Sequence, residues 1–160
     1  MFHSLRIKNF RLILFSILCL IVLLAVCLLM LRAAPPDTVE IDDEKVGLKI
    51  GSDEDIEAFI DRCGYVVEGC ISDDEVTVPK TWNDAYTAYN DLQKQQGFDL
   101  RPYKGKTARK LVYALTDSAD QVTVLTTDDR IIAADICAPE QGSSPRPLTG
   151  HTPADPTYSE

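Results

Sequence analysis

Residues 12–31 form an uninterrupted run of 20 residues without charge, proline or glycine, and nothing else in the chain limits its folding so sharply. A helix rises about 1.5 Å per residue, so such a run covers roughly 30 Å, the thickness of a bilayer's hydrocarbon core. The run predicts one transmembrane helix. Arg6, Lys8 and Arg11 precede it, whereas Arg32 is followed by Asp37, Glu40, Asp42, Asp43 and Glu44, which predicts a cytoplasmic N-terminus and an extracytoplasmic remainder. A cleaved signal peptide is the competing reading, but its apolar core is usually about 7 to 15 residues long and ends in small residues. Ala33 and Ala34 are the only candidates here, and cleavage after Ala34 would put Arg32 where a small residue is needed and Pro35 just past the scissile bond. A lipoprotein reading through Cys27 meets Val26 where a small residue is expected. Only Ser16, Cys19 and Cys27 interrupt the apolar character, so the helix reads as an anchor rather than as a relay or pore.

The rest of the 160 residues is the opposite in character. All 25 acidic residues lie beyond Arg32, with 12 basic ones, a net charge of −13 for that part. Nucleic acid needs a basic footprint, so it is not an expected partner. Residues 1–11 read as a cytoplasmic N-terminus and 32–52 as an acidic stalk with Pro35 and Pro36. Residues 138–160, with five prolines, read as a disordered tail. Between them, residues 53–137 are predicted to fold as a small extracytoplasmic domain.

Within that domain, Ser52 is placed as an N-cap, and Asp53, Glu54 and Asp55 oppose the helix dipole. Ile56, Phe59, Ile60 and Cys63 follow at helical spacing up to Gly64. Two short strands, 65–67 and 75–78, are expected around a turn at Asp73 and Asp74. A second helix is expected to start at Thr81, to carry Trp82, Tyr86 and Tyr89 on its buried face, the alternative being a platform that stacks on a ligand such as a sugar, and to stop at Gly97. Runs at 108–115, 121–126 and 130–137 are joined by connections too short for parallel crossovers. The expected fold class is therefore α+β: two helices packed on an antiparallel sheet that ends in a three-stranded meander.

Certain residues carry a resemblance. The stretch 53–137 contains Val76-Thr77-Val78-Pro79, then Tyr89-Asn90-Asp91-Leu92-Gln93-Lys94-Gln95-Gln96-Gly97-Phe98-Asp99-Leu100, then Tyr103-Lys104-Gly105-Lys106 and finally Asp135-Ile136-Cys137. With these it resembles the bacterial family known as domain of unknown function 4830, and the run 89–100 is the specific part. The resemblance implies a membrane-anchored protein of Gram-positive bacteria with one N-terminal span and an external domain. It implies no activity. The Pro-rich tail stands where the family has a short stretch containing glycine and aromatic residues.

Most catalytic chemistries lack their residues. The only histidines, His3 and His151, fall outside 53–137, so Ser-His-Asp, Cys-His and zinc-protease arrangements are not expected there. Gly105-Lys106-Thr107 imitates the end of a phosphate loop, but Leu100 occupies the first glycine position. The acid pairs Asp53/Asp55, Asp73/Asp74 and Asp128/Asp129 lack the spacing of a calcium loop and suit helix starts and turns. No cofactor or metal is expected. Cys63 and Cys70 are spaced to allow a disulfide, the alternative being that they and Cys137 are small buried hydrophobes. Arg101, Lys104, Lys106, Arg109 and Lys110 form the one basic cluster of the domain. They are either solvated charge around a turn or a site for an anion or acidic partner. The expected function is a non-catalytic binding or regulatory module of the cell envelope, held to the membrane by its N-terminal helix. Its expected partner is an envelope polymer or a membrane protein. The alternative is a carboxylate- or thiol-dependent envelope enzyme.

Overall fold

The computed structural model describes residues 10–32, 36–41, 43–127, 129–140 and 142–149, without the side chains of 10–12 and 30–32. Two compact units divide the chain, Met1–Ala34 and Pro35–Glu160. The first contains helix α1, Phe10–Arg32. Its described side chains are exposed on every side, leucines included, with Leu23 at 68%. Counted over the described residues, no helix is long and apolar enough to cross a membrane.

The second unit is α+β. A hairpin of β1 (Thr38–Ile41) and β2 (Glu44–Gly47) comes first, followed by helix α2 (Asp53–Arg62). A five-stranded antiparallel sheet runs in the order β3 (Val67–Thr77), β4 (Thr107–Leu115), β5 (Gln121–Thr127), β6 (Arg130–Cys137) and β7 (Arg146–Pro147). Helix α3 (Asp84–Gln95) and a 3-10 turn at Arg101–Tyr103 lie between β3 and β4.

Helix α2 forms where its apolar spacing places it. The Asp55 carboxylate accepts the backbone N–H groups of Gly51 and Ser52 at 2.7 and 3.1 Å, fastening the first turn. Ile56, Phe59 and Ile60 are buried against one sheet face, presented by Leu111, Tyr113, Val122, Val124 and Ile136. The opposite face meets Val78, Leu100 and Tyr103 through Ala108, Leu125 and Ala133, with Trp82, Tyr86 and Tyr89 partly buried beside them. The sheet is therefore packed on both faces.

Four sequence expectations need correction. The acidic stalk is folded: Val39, Ile41, Val46 and Leu48 are buried in the α2-side core. Glu40 and Lys45 alternate with these apolar residues on the exposed side of the hairpin, which hides the strand period of two in a charge-rich stretch. The tail is not all free chain, because β7 pairs with β6 and Leu148 is buried at 0% exposure; residues 150–160 lie outside the described ones. The two short strands are one continuous β3, in which Asp74 and Glu75 stand opposite Lys110 and Arg109. The ladder continues through the expected acidic turn, and Arg109 of β4 forms its ion pair across it with Asp73. Helix α3 is capped not by Thr81 but by Asn83, whose Oδ1 accepts the Tyr86 N–H at 2.9 Å. The Trp82 indole N–H donates to the Pro79 carbonyl at 2.9 Å, which holds residues 79–82 in a turn and delays the helix by two residues.

Candidate functional site

Helix α3 turns a polar face inward. Asn90 and Gln93 are buried on it, and Gln96 is buried at its C-cap, three residues apart in each case. Asn90 Oδ1 accepts the Leu100 N–H at 2.8 Å. Gln93 Oε1 accepts the Ala134 N–H at 3.1 Å, and Gln96 Nε2 donates to the Ala134 carbonyl at 2.9 Å. The two glutamines thus serve β6 as a missing neighbour strand would. Gln96 Oε1 also accepts the N–H groups of Leu148 and Thr149 at 2.6 and 2.9 Å, clipping the C-terminal segment down. Buried backbone groups left without such partners would each cost about 1 to 3 kcal/mol.

With α3 fixed in this way, a cleft of about 400 Å³ opens beside it over the sheet. Tyr86 and Tyr89 of α3, Lys110 of β4, Thr123 and Leu125 of β5, and Asp135 of β6 line it. Its apolar lining with a few polar groups is typical of small-ligand sites. Asp135 is only 4% exposed, and its Oδ2 accepts the Tyr89 hydroxyl at 2.7 Å. Oδ1 accepts from no group among the described residues. Burial pushes the Asp135 carboxyl up to about 6, against the smaller opposing pulls of the Tyr89 hydrogen bond and the Lys110 charge. Burial, then the neighbouring Asp135 charge, holds the Tyr89 hydroxyl well above its ordinary value. The Cys137 thiol at the cleft edge is also raised, mainly by burial. A thiol held protonated is a poor nucleophile. Asp135 is the one carboxyl group in the described lining, whereas glycoside hydrolysis generally uses two. The arrangement suits holding a ligand that offers a hydrogen-bond donor to Asp135 and an apolar body to the tyrosines.

A larger recess, about 690 Å³, lies at the start of α2. Three of its four charged side chains, Asp53, Asp73 and Arg109, pair with one another. Arg109 donates to Asp53 at 2.6 and 3.1 Å and to Asp73 at 2.8 and 2.7 Å. The Arg109 hydrogen bonds hold both carboxyls below their ordinary range, and Arg109 is raised in return. This guanidinium ties α2 to β3 and leaves no donor aimed at a ligand.

The basic cluster is dispersed. Arg101 is forked onto Asp99 at 2.6 and 2.8 Å, and Arg109 is occupied as just described. Lys110 reaches the cleft. Lys104 Nζ lies 4.0 Å from the Trp82 ring centroid and Lys106 Nζ 5.2 Å from that of Tyr103. Cys63 and Cys70 are not joined, and the Cys70 thiol instead donates to the Ser72 carbonyl at 3.2 Å. Cys70 lies exposed on β3, whereas Cys63 caps α2 and packs against the core. No group of three or more His, Cys, Asp and Glu among the described residues is placed to hold a metal ion.

The family model described as Domain of unknown function (DUF4830) matches residues 59–136. This segment belongs to the DUF4830 family. The DUF4830 segment contains α3, β4, β5 and most of β6, and so it holds Tyr86, Tyr89, Lys110, Thr123, Leu125 and Asp135. The β1–β2 hairpin and the clipped residues Leu148 and Thr149 lie outside it. Comparison with curated proteins and with solved structures gives no match.

Sequence reasoning offered Tyr86 and Tyr89 as a ligand platform against a core role, but did not single out Asp135 as a site residue. The available signal was an acid inside the otherwise apolar strand Ile131-Ile132-Ala133-Ala134-Asp135-Ile136, because a buried acid needs a partner.

Proposed function

We propose that this protein is a membrane-anchored binding module of the cell envelope, with its N-terminus in the cytoplasm and its DUF4830 domain outside. The observation that carries the anchor is the run 12–31, apolar throughout and helical, whose described leucines are exposed. A helix apolar on all sides is suited to lipid. The flanking charges support the orientation. The cleft beside α3 is the seat of the ligand. Its single buried carboxyl and protonated thiol favour holding a ligand over turning one over.

The test combines topology with capture. Protease added to intact spheroplasts should remove the domain, and its survival until the membrane is lysed would place it in the cytoplasm. A photo-cross-linker at Ser143, on the cleft rim, should capture the ligand in intact cells. Filling the cleft by Thr123→Trp should abolish that capture. Undiminished capture by the filled variant, with an unchanged circular dichroism spectrum, would refute the cleft as the seat.

A further inference from the structure

The segments 78–80 and 104–106 are held together by backbone hydrogen bonds, Val78 N–H to the Lys106 carbonyl at 3.0 Å and Gly105 N–H to the Val78 carbonyl at 2.7 Å. Gly105 has φ +75°, and a Cβ there would stand 2.8 Å from Cγ and Cε of Lys80, so the absent side chain lets Lys80 lie across the turn. Lys80, Lys104 and Lys106 thereby share one turn. The stems of the last two are steadied by the rings of Trp82 and Tyr103. No described carboxylate forms an ion pair with any of the three, although Arg101, Arg109, Arg130 and Arg146 are all paired. On a part of the chain with net charge −13, this turn is a local knob of uncompensated, pre-positioned positive charge.

We propose that this knob, Lys80, Lys104 and Lys106 around Gly105, is a docking surface for a flexible polyphosphate chain. Two features select that chemistry. Ammonium groups are compact point charges that suit the single oxygens of successive phosphates, whereas the arginine forks nearby, which take carboxylate or phosphate two oxygens at a time, are already closed on carboxylates. A flexible polymer can touch a three-charge knob alone, whereas a flat anionic bilayer would also meet the surrounding acids and be repelled. The knob adjoins the cleft through Tyr86 but shares no charged group with it, and it does not depend on which side of the membrane the domain occupies.

Trp82 is the chain's single tryptophan, and Lys104 sits on its ring, so its emission reports the engagement of that ammonium. The full chain in neutral phosphatidylcholine nanodiscs should show a saturable change of Trp82 emission with inorganic polyphosphate. Raising the salt should weaken it steeply. The variant Lys80→Gln, Lys104→Gln and Lys106→Gln should bind about tenfold or more weakly with an unchanged circular dichroism spectrum, whereas Arg101→Gln should change affinity less than about twofold. Thr123→Phe, which narrows the cleft without adding a second tryptophan, should leave this binding intact, and its loss there would move the polymer into the cleft. Equal binding of polyglutamate, or retained binding by the triple variant, would overturn the proposal. So would a preference for phosphatidylglycerol vesicles over polyphosphate, which would replace the polymer with a membrane surface. Because the readout needs neither ligand capture nor topology, its failure leaves the cleft reading untouched.

Discussion

At the scale of single residues, Asp135 makes the strongest commitment in the domain. Its carboxyl is raised from 3.8 to about 6, mainly by burial, so the native state holds a proton that the unfolded chain has already lost. The sense is that of a raised acid. The contribution is fully present below about pH 4 and is lost as pH rises through about 6, to the extent of roughly 3 kcal/mol for a shift of about two pH units. Asp53 and Asp73 act oppositely: Arg109 lowers their pKa values, and their contribution, present at neutral pH, is lost as acid protonates them. Asp135→Asn keeps an acceptor for the Tyr89 hydroxyl and removes the ionisation. It should therefore melt above the wild type at pH 8 and lose the advantage at pH 4. Melting curves that differ by the same amount at both pH values would mean that Asp135 is not titrating. Gln96 gives the second residue-scale prediction. Gln96→Ala strips acceptors from the buried Leu148 and Thr149 N–H groups and a donor from the Ala134 carbonyl, and should cost about 3 kcal/mol. Chemical denaturation measures it, and a loss below about 0.5 kcal/mol would show that water takes over these bonds.

Among the elements, β7 and the hairpin are short pieces with large consequences. The two residues of β7 add little ladder, yet they deliver Leu148 into the core, where its burial is worth about 1.5 to 3 kcal/mol. Truncation after Cys137 should consequently lower the melting temperature by more than about 5 °C. An unchanged melting temperature would mean that the segment beyond β6 is dispensable. The hairpin behaves likewise: Leu48 accepts from the Ile131 N–H at 2.9 Å and Ile50 donates to the Asp129 carbonyl at 3.0 Å, so it closes the start of β6 as α3 and β7 close the rest. The long edge strand β3 remains open. Its exposed acids and its register shifts near Gly69 and Ser72 are features that discourage pairing with another chain.

For the whole molecule, the division into two units implies independence. Among the described residues, both cores are built from Val39 onward, within the second unit. A fragment of residues 36–160 should therefore fold in plain buffer and melt cooperatively within about 3 °C of the full chain in nanodiscs, as read by circular dichroism. Aggregation of that fragment, or a melting temperature well below the full chain's, would show that the first unit supports the second.

Local pattern determined a good deal. The apolar spacing of Ile56, Phe59 and Ile60 set α2, Gly64 and Gly97 set the helix ends, and short connections set the antiparallel meander, because each depends on residues within a few positions of one another. The family match was also legible, in the run 89–100. Tertiary structure decided the rest. Which face of α3 is buried could not be read from its aromatic residues, because Asn90, Gln93 and Gln96 earn their burial from backbone groups of residues 98–149 that only the fold brings near. Whether the hairpin is a stalk, whether Leu148 packs and whether Arg109 is available to a ligand likewise depend on partners tens of residues away. Charge and composition describe what a side chain can do, and long-range packing decides whether its partner is solvent, its own chain or something else.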